Sequence, residues 1–413
     1  LVVKKDIEIV LDTLYFVILV LYTKVFPLNR HSVIKSQDDE VRVSLALGVY
    51  PQVVLPGITC VSLVLKTKIQ KRRVTKRKKK MQSTYSNTIK KWLWINIVML
   101  IFMIILGGVT RLEDAGLSIV ESAPLTGILP PFNQSDWLQL FTQYKTSPEF
   151  QKVNFMMTLG EFKYIFWLEY LHRLWGRLFG LVFFLPALCF WICKGFNGRQ
   201  KKQILSLVLL GMAQAVMGWY MVKSGLVDDP HVSHFRLATH FCLALAILGV
   251  LLWMAFDLGH KRSLYLSIWM IGPITDMLLL TIIYGAFVAG LDAGLVYNDT
   301  FPHMGTSLIP SDAWGQGGIW YNALNNPVMI QFIHRWLAMM TAVLVIFLAW
   351  KIKAQNCKIA WFLTTGILIQ VALGITTLFT NVNMWVAEAH QLGAVFLFSL
   401  FVYIWWSFLR AAR

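Results

Sequence analysis

From residue 90 onward, apolar residues run in eight blocks separated by polar segments, and each block approaches the ~20 residues an α-helix needs to cross a bilayer. The blocks lie at about 92–109, 168–192, 203–222, 236–256, 266–291, 328–350, 358–379 and 386–408. They predict an all-α polytopic membrane protein with eight transmembrane helices, spans 1 to 8. Lys and Arg collect in cytoplasmic loops, so they give the orientation. Lys90 and Lys91 precede span 1, Lys194, Arg199, Lys201 and Lys202 follow span 2, Lys261 and Arg262 follow span 4, Lys351, Lys353 and Lys358 follow span 6, and Arg410 follows span 8. All mark one side, which puts both termini inside. The other side carries a long loop at 110–167, a short one with Asp228 and Asp229, and a stretch at 292–327 without Lys or Arg.

Composition agrees and narrows the class. Of 413 residues, 57% are hydrophobic and only 14% charged, against roughly a quarter charged in soluble domains, and mean hydropathy is +0.59. A soluble globular enzyme is excluded. The net charge of +17 is uneven, because residues 1–80 hold 16 basic and 6 acidic residues. Positive loops of a membrane protein explain the remainder, so nucleic acid is not expected as a partner. Five Cys without a CxxC pair do not form a disulfide framework.

Residues 1–80 differ from the rest. Apolar stretches from Leu11 and near Val43 lead into the basic run Lys71 to Lys80, and Met81 follows. The expectation is that Met81 is the natural start and that residues 1–80 are an over-extended gene model, the alternative being a leader or anchor. Asp6, Glu8, Asp12 and Asp38-Asp39-Glu40 fit a mitochondrial leader badly, since such leaders are poor in acids.

The body repeats itself. Gly107-Gly108-Val-Thr-Arg111-Leu-Glu-Asp114-Ala-Gly116-Leu117 at the end of span 1 returns as Gly285-Ala-Phe-Val-Ala-Gly-Leu-Asp292-Ala-Gly294-Leu295 at the end of span 5. His172-Arg173 returns as His334-Arg335, Gln214 as Gln370 and His240 as His390. Four spans per half make both halves enter the membrane in the same direction, a parallel duplication. Two pseudo-symmetric four-helix bundles are expected, at residues 81–260 and 261–413.

His172, His240, His334 and His390 fall within one or two turns of the expected outer ends of spans 2, 4, 6 and 8. Polar groups inside a membrane usually mark a site, and neutral imidazole is a common haem ligand. Gly176, Ala244, Ala338 and Ala394 stand four residues further on, leaving room for a flat macrocycle. Two bis-His haem sites are expected, His172 with His240 and His334 with His390. A structural hydrogen-bonding role is the alternative, and zinc fits less well because no carboxylate or Cys joins the second pair. Glu169 lies three residues before His172, where the second half has Gln331, which makes the first site the better one for reaction. Arg111, Arg173, Arg236 and Arg335 near the outer level suit haem propionates or interfacial anchoring, and both remain open. Gln214 and Gln370 read as interhelical glue, and His231, His234 and His303 as loop residues with surface roles.

The segments Gly107–Leu112, Gly116–Ser118, Glu161–Arg173, Gly218–Leu226 and Val288–Asn298 resemble haem A synthases of the alphaproteobacterial and mitochondrial type, and the resemblance runs from about residue 85 to the end. It implies oxidation of the C8 methyl of haem O to a formyl group by successive hydroxylations, giving haem A for cytochrome oxidase. It further implies substrate haem on His172 and His240, a resident haem b on His334 and His390, and Glu169 as the essential acidic residue. The outer loops lack the cysteine pair of some relatives. Implied partners are haem O, the haem O synthase, an electron donor and cytochrome oxidase assembly, with a homo-oligomer left open. The implied location is the bacterial inner membrane or, alternatively, the mitochondrial one. A non-catalytic di-haem b electron carrier would use the same four histidines, and a duplicated transporter is a third reading.

Overall fold

The computed structural model describes residues 59–120, 129–226, 232–259, 263–315 and 317–411, with side chains from residue 86 onward apart from Ser224. Among them, eight helices are long and apolar enough to cross a membrane. Span 1 is Ser86–Leu112, the outer part of a helix that begins at Thr59. Spans 2 to 8 are Leu159–Ile192, Gly198–Gly225, His234–Gly259, Ile268–Gly290, Pro327–Ile352, Cys357–Phe379 and Met384–Ala411. The chain is an all-α, multi-pass membrane protein, as the apolar blocks predict. The expectation for residues 1–80 lies largely outside the described residues, although the helix of span 1 is already under way before Met81.

Polar residues just outside the apolar blocks start the helices, because the first N–H groups need an acceptor. Thr158 and Glu161 form a capping box for span 2, and Asn197 and Gln200 do so for span 3. Asn326 accepts from the N–H groups of Val328 and Met329, and Pro327 takes the first helical position, where no N–H is needed.

Span 2 begins nine residues before the expected boundary, and the reason is packing. Glu161 and Lys163 interrupt its apolar run, but Phe162, Ile165, Phe166 and Tyr170 bury themselves against Trp137, Phe141 and Tyr144 of the loop helix Gln134–Lys145. At 34 residues, span 2 is the longest of spans 2 to 8. His172 lies thirteen residues from its start, about three and a half turns, rather than the one or two expected. His240, His334 and His390 lie six or seven residues from theirs.

Spans 1, 4, 5 and 8 form the seam between the halves, where span 4 packs on spans 1, 5 and 8, and span 8 also meets span 1. Span 4 is the most enclosed and spans 2, 3 and 7 the least. The seam is tied by Trp405 Nε1 donating to Thr275 Oγ1 at 2.8 Å and Trp406 Nε1 donating to Asp257 at 2.9 Å. Within the halves, span 1 packs on spans 2 and 4 and span 3 on span 4; correspondingly, span 5 packs on spans 6 and 8 and span 7 on span 8. One relation is not repeated. Spans 6 and 7 lie packed together, whereas spans 2 and 3 share no comparable seam.

Candidate functional site: two histidine pairs

Each of the four histidines lies against a glycine of a neighbouring span. A Cβ on Gly107 would come 3.3 Å from the ring of His172, on Gly218 3.2 Å from His240, on Gly285 3.0 Å from His334 and on Gly374 2.8 Å from His390. The four glycines occupy repeat-equivalent positions in spans 1, 3, 5 and 7. A Cβ there would crowd the imidazole, which would have to give by a few tenths of an ångström at the first three positions and by more at Gly374.

The two histidines of the second pair lie close together. The ring centroids of His334 and His390 are 6.5 Å apart with their planes at 88°. Two imidazoles bound on opposite sides of one ion, with metal–nitrogen bonds of about 2 Å, have centroids about 6 Å apart. The Nδ1 of His334 meets the carbonyl of Thr281 at 3.1 Å, and the Nδ1 of His390 meets that of Gln370 at 3.1 Å. A carbonyl can only accept, so both Nδ1 atoms carry the proton and both Nε2 lone pairs remain for a ligand. The residues fit a bis-His haem.

The first pair is held otherwise. His172 and His240 lie within electrostatic reach of each other. The Nε2 of His240 is 3.1 Å from the side-chain nitrogen of Gln214, while its Nδ1 is buried without a hydrogen bond. Among the described residues, none hydrogen-bonds to the ring of His172.

Glu169 is 2% exposed. It accepts from Ser118 Oγ at 2.6 Å and from the N–H of Ile119 at 2.8 Å, and it pairs with Arg173. Arg173 in turn donates to the carbonyl of Ile119. Three donors suit a carboxylate, which only accepts. The same clamp stands in the second half, built on an amide: Gln331 accepts from Arg335 at 3.1 Å and donates to the carbonyl of Ala293 at 2.7 Å. Arg335, 4% exposed, donates to the carbonyls of Tyr297, Thr300 and His303. Ile119 and Tyr297 are repeat-equivalent. In each half, the Arg after the His grips the outer loop at the same place.

Arg111 bridges the halves. It pairs with Asp114 and with Asp292, repeat mates that share a left-handed backbone, and it donates at 2.7 Å to the carbonyl of Ala289, its own repeat mate. Arg236 stacks on Tyr220, 4.3 Å from the ring centre. Three of the four expected propionate arginines thus hold protein carbonyls or carboxylates.

His234 corrects the reading of it as a loop residue with a surface role. It opens span 4, is buried, and its Nε2 bonds the carbonyl of Leu324 at 2.8 Å, with its ring beside Phe287 of span 5. It belongs to the seam. His303 is exposed, as expected, and His231, His31 and His260 lie outside the described residues. Sequence reasoning missed Glu388, 4% exposed in span 8, within hydrogen-bond reach of Gln391 and fitted against Gly108 of span 1. It has no repeat partner to announce it.

In the outer loop, Tyr144 donates at 2.9 Å to Glu149, and Asn154 donates at 2.8 Å to Tyr144. Burial pushes the Glu149 carboxyl up to about 7, with the charge of Glu169 acting in the same direction, and burial also raises the Tyr144 phenol.

Comparison with known proteins places the chain. The family described as cytochrome oxidase assembly protein matches residues 90–402. A protein named heme A synthase from Paramagnetospirillum magneticum is 41% identical over 324 residues, covering 75% of this chain and 90% of that protein. Proteins of the same name from Wolbachia pipientis subsp. Culex pipiens and Rickettsia felis are 42% and 40% identical over 317 and 328 residues, covering 76% of this chain and 95% and 96% of theirs.

Proposed function

The chain belongs to the family of cytochrome oxidase assembly proteins, and from that membership we propose that it makes haem A, oxidising the C8 methyl of haem O to a formyl group. Each of two successive hydroxylations turns a C–H bond into C–OH; with dioxygen as the oxidant, one oxygen atom enters the product and the other leaves as water, taking two electrons from the membrane electron donor and two protons. The methyl thus becomes a hydroxymethyl and then a gem-diol, which loses one water to leave the aldehyde. This makes the chain an oxidoreductase of haem A biosynthesis. The observation that carries the reading is the second histidine pair, whose 6.5 Å spacing and paired Nδ1 anchors suit a haem iron.

His334 and His390 hold a resident haem b, which when bound supplies one-electron transfer. The carbonyls of Thr281 and Gln370 fix the two rings and raise the basicity of the free nitrogens. His172 and His240 hold the substrate haem. Glu169 lies one turn outward from His172 on the same helix face, and its negative charge stabilises positive charge developing at a peripheral methyl while Ser118 and Ile119 keep it in position. Arg173 fixes the loop that covers this edge. Arg236, one turn before His240 on span 4, could contribute positive charge toward a haem propionate; Arg111, Arg173 and Arg335 act as anchors of loop and seam.

The setting is the bacterial inner membrane or the mitochondrial one, with both termini on the inner side. Partners are a haem O synthase that supplies substrate and a membrane electron donor. The test is to express the full chain with a source of haem O, extract the haems and separate them by chromatography. Haem A or its hydroxylated precursor is expected. Haem b alone, with haem O unconsumed, would make the chain an electron carrier instead.

A further inference from the structure

Resting on the reading that the first half takes haem O, we propose that this half is built to exchange its haem sideways between spans 2 and 3, with Gln214 as the positioning residue that promotes release. The two halves treat one repeat-equivalent glutamine in opposite ways. In the second half, the amide of Gln370 donates to the backbone carbonyl of His390 at 3.0 Å, and its own carbonyl holds the Nδ1 of that ring. Among the described residues, none hydrogen-bonds to the Nε2 of His390. In the first half, the amide of Gln214 sits on the Nε2 of His240 at 3.1 Å. An amide N–H only donates, so it engages the lone pair that an iron would need. With the amide turned over, its oxygen would accept from the same nitrogen, which is again taken. Binding a haem through this Nε2 displaces a hydrogen bond from span 3; at His390 it displaces none.

The second observation is the side wall. Spans 6 and 7 close the second half, whereas among the described residues spans 2 and 3 share no comparable packing. Gly180 of span 2 and Gly211 of span 3 face open space. The repeat puts Ala342 and Ile367 at these positions, and Ile367 is 3% exposed. Leu178 and Leu181 of span 2 and Leu209, Met212 and Val216 of span 3 are exposed, so both helices present hydrocarbon side chains outward. Haem O carries a long isoprenoid chain, a hydrocarbon that lies as well in lipid as against these side chains. A site that takes in a membrane-dissolved substrate and gives up a membrane-dissolved product needs such a side, and a site that keeps its cofactor does not.

The test loads the purified full chain in detergent with haemin and follows transfer to excess apomyoglobin. A fast phase that disappears in His172→Ala and a slow phase that disappears in His390→Ala are expected. Gln214→Leu should slow the fast phase about three- to tenfold, the range for one net hydrogen bond, and leave the slow phase as it is. Gln370→Leu should not alter the fast phase, and Gly211→Ile, which copies Ile367, should slow it. An unchanged fast phase in Gln214→Leu overturns the role of Gln214, and an unchanged one in Gly211→Ile overturns the side passage. Absence of any His172-dependent haem would remove the premise itself.

Discussion

In the second half, two imidazoles are each fixed by a backbone carbonyl, a glutamine is tied to the main chain, and spans 6 and 7 close the wall. In the first half, the same four-span frame carries a histidine bonded to a glutamine side chain, a wall left open between spans 2 and 3, and a carboxylate where the second half has an amide. The glycine behind each imidazole and the Arg clamp on the outer loop are common to both. The glycine and the Arg clamp thus recur in both halves. On the proposed function, a few side chains would separate a site that holds its haem from a site that turns over.

The largest effects should come from the histidines. His334→Ala or His390→Ala should abolish a low-spin b-type signal in optical and EPR spectra while haem O still binds; His172→Ala or His240→Ala should do the reverse. If His172→Ala removed the b-type signal and spared haem O, the roles of the halves would be exchanged. Smaller effects are expected from the glycines. Gly374→Ala places a Cβ 2.8 Å from the His390 ring and Gly107→Ala one 3.3 Å from His172. Overpacking costs about 1–3 kcal/mol, so Gly374→Ala should weaken second-half haem binding roughly tenfold or more and Gly107→Ala should weaken the first half less. Equal losses in a haem titration would contradict this ranking.

The smallest effect concerns the outer loop, which only the first half builds around a buried carboxyl. Glu149 titrates at about 7 when folded against an ordinary 4.5, so folding favours its protonated form. That contribution is complete below pH 4.5 and is lost as pH rises to 7. Hydrogen-exchange protection over residues 134–152 should fall by up to about tenfold per pH unit in that window and level off above it. Glu149→Gln should flatten the slope, and a slope equal to that of the unsubstituted chain would exclude Glu149 as its cause.

The eight spans were legible because apolar length is a long signal, and the closeness of His334 and His390 was expected from a repeated one, the matching offsets of the histidines. Features carried by a single tertiary contact were not. The outer extension of span 2 is hidden by Glu161 and Lys163, because its aromatic residues answer to the loop helix rather than to lipid. His234 reads as a loop residue since its partner, the carbonyl of Leu324, is ninety residues away. Gly107 and Gly285 stand out in the repeat, but that each faces an imidazole follows only from how the spans pack. The arginines read equally well as propionate partners or anchors, and backbone carbonyls, which sequence cannot show, accept from three of the four, Arg111, Arg173 and Arg335.

The difference between Glu169 and Gln331 is the centre of the account, and Glu169→Gln tests it most directly. The amide can still accept from Arg173, as Gln331 does from Arg335, but the N–H of Ile119 loses its charged acceptor. Haems extracted from this variant, expressed with a haem O source, should contain haem b together with haem O or the hydroxylated intermediate in place of haem A, with near-normal spectra at both sites. A normal yield of haem A would contradict a catalytic role for the carboxylate, and loss of all bound haem would make Glu169 a structural pin of the outer loop.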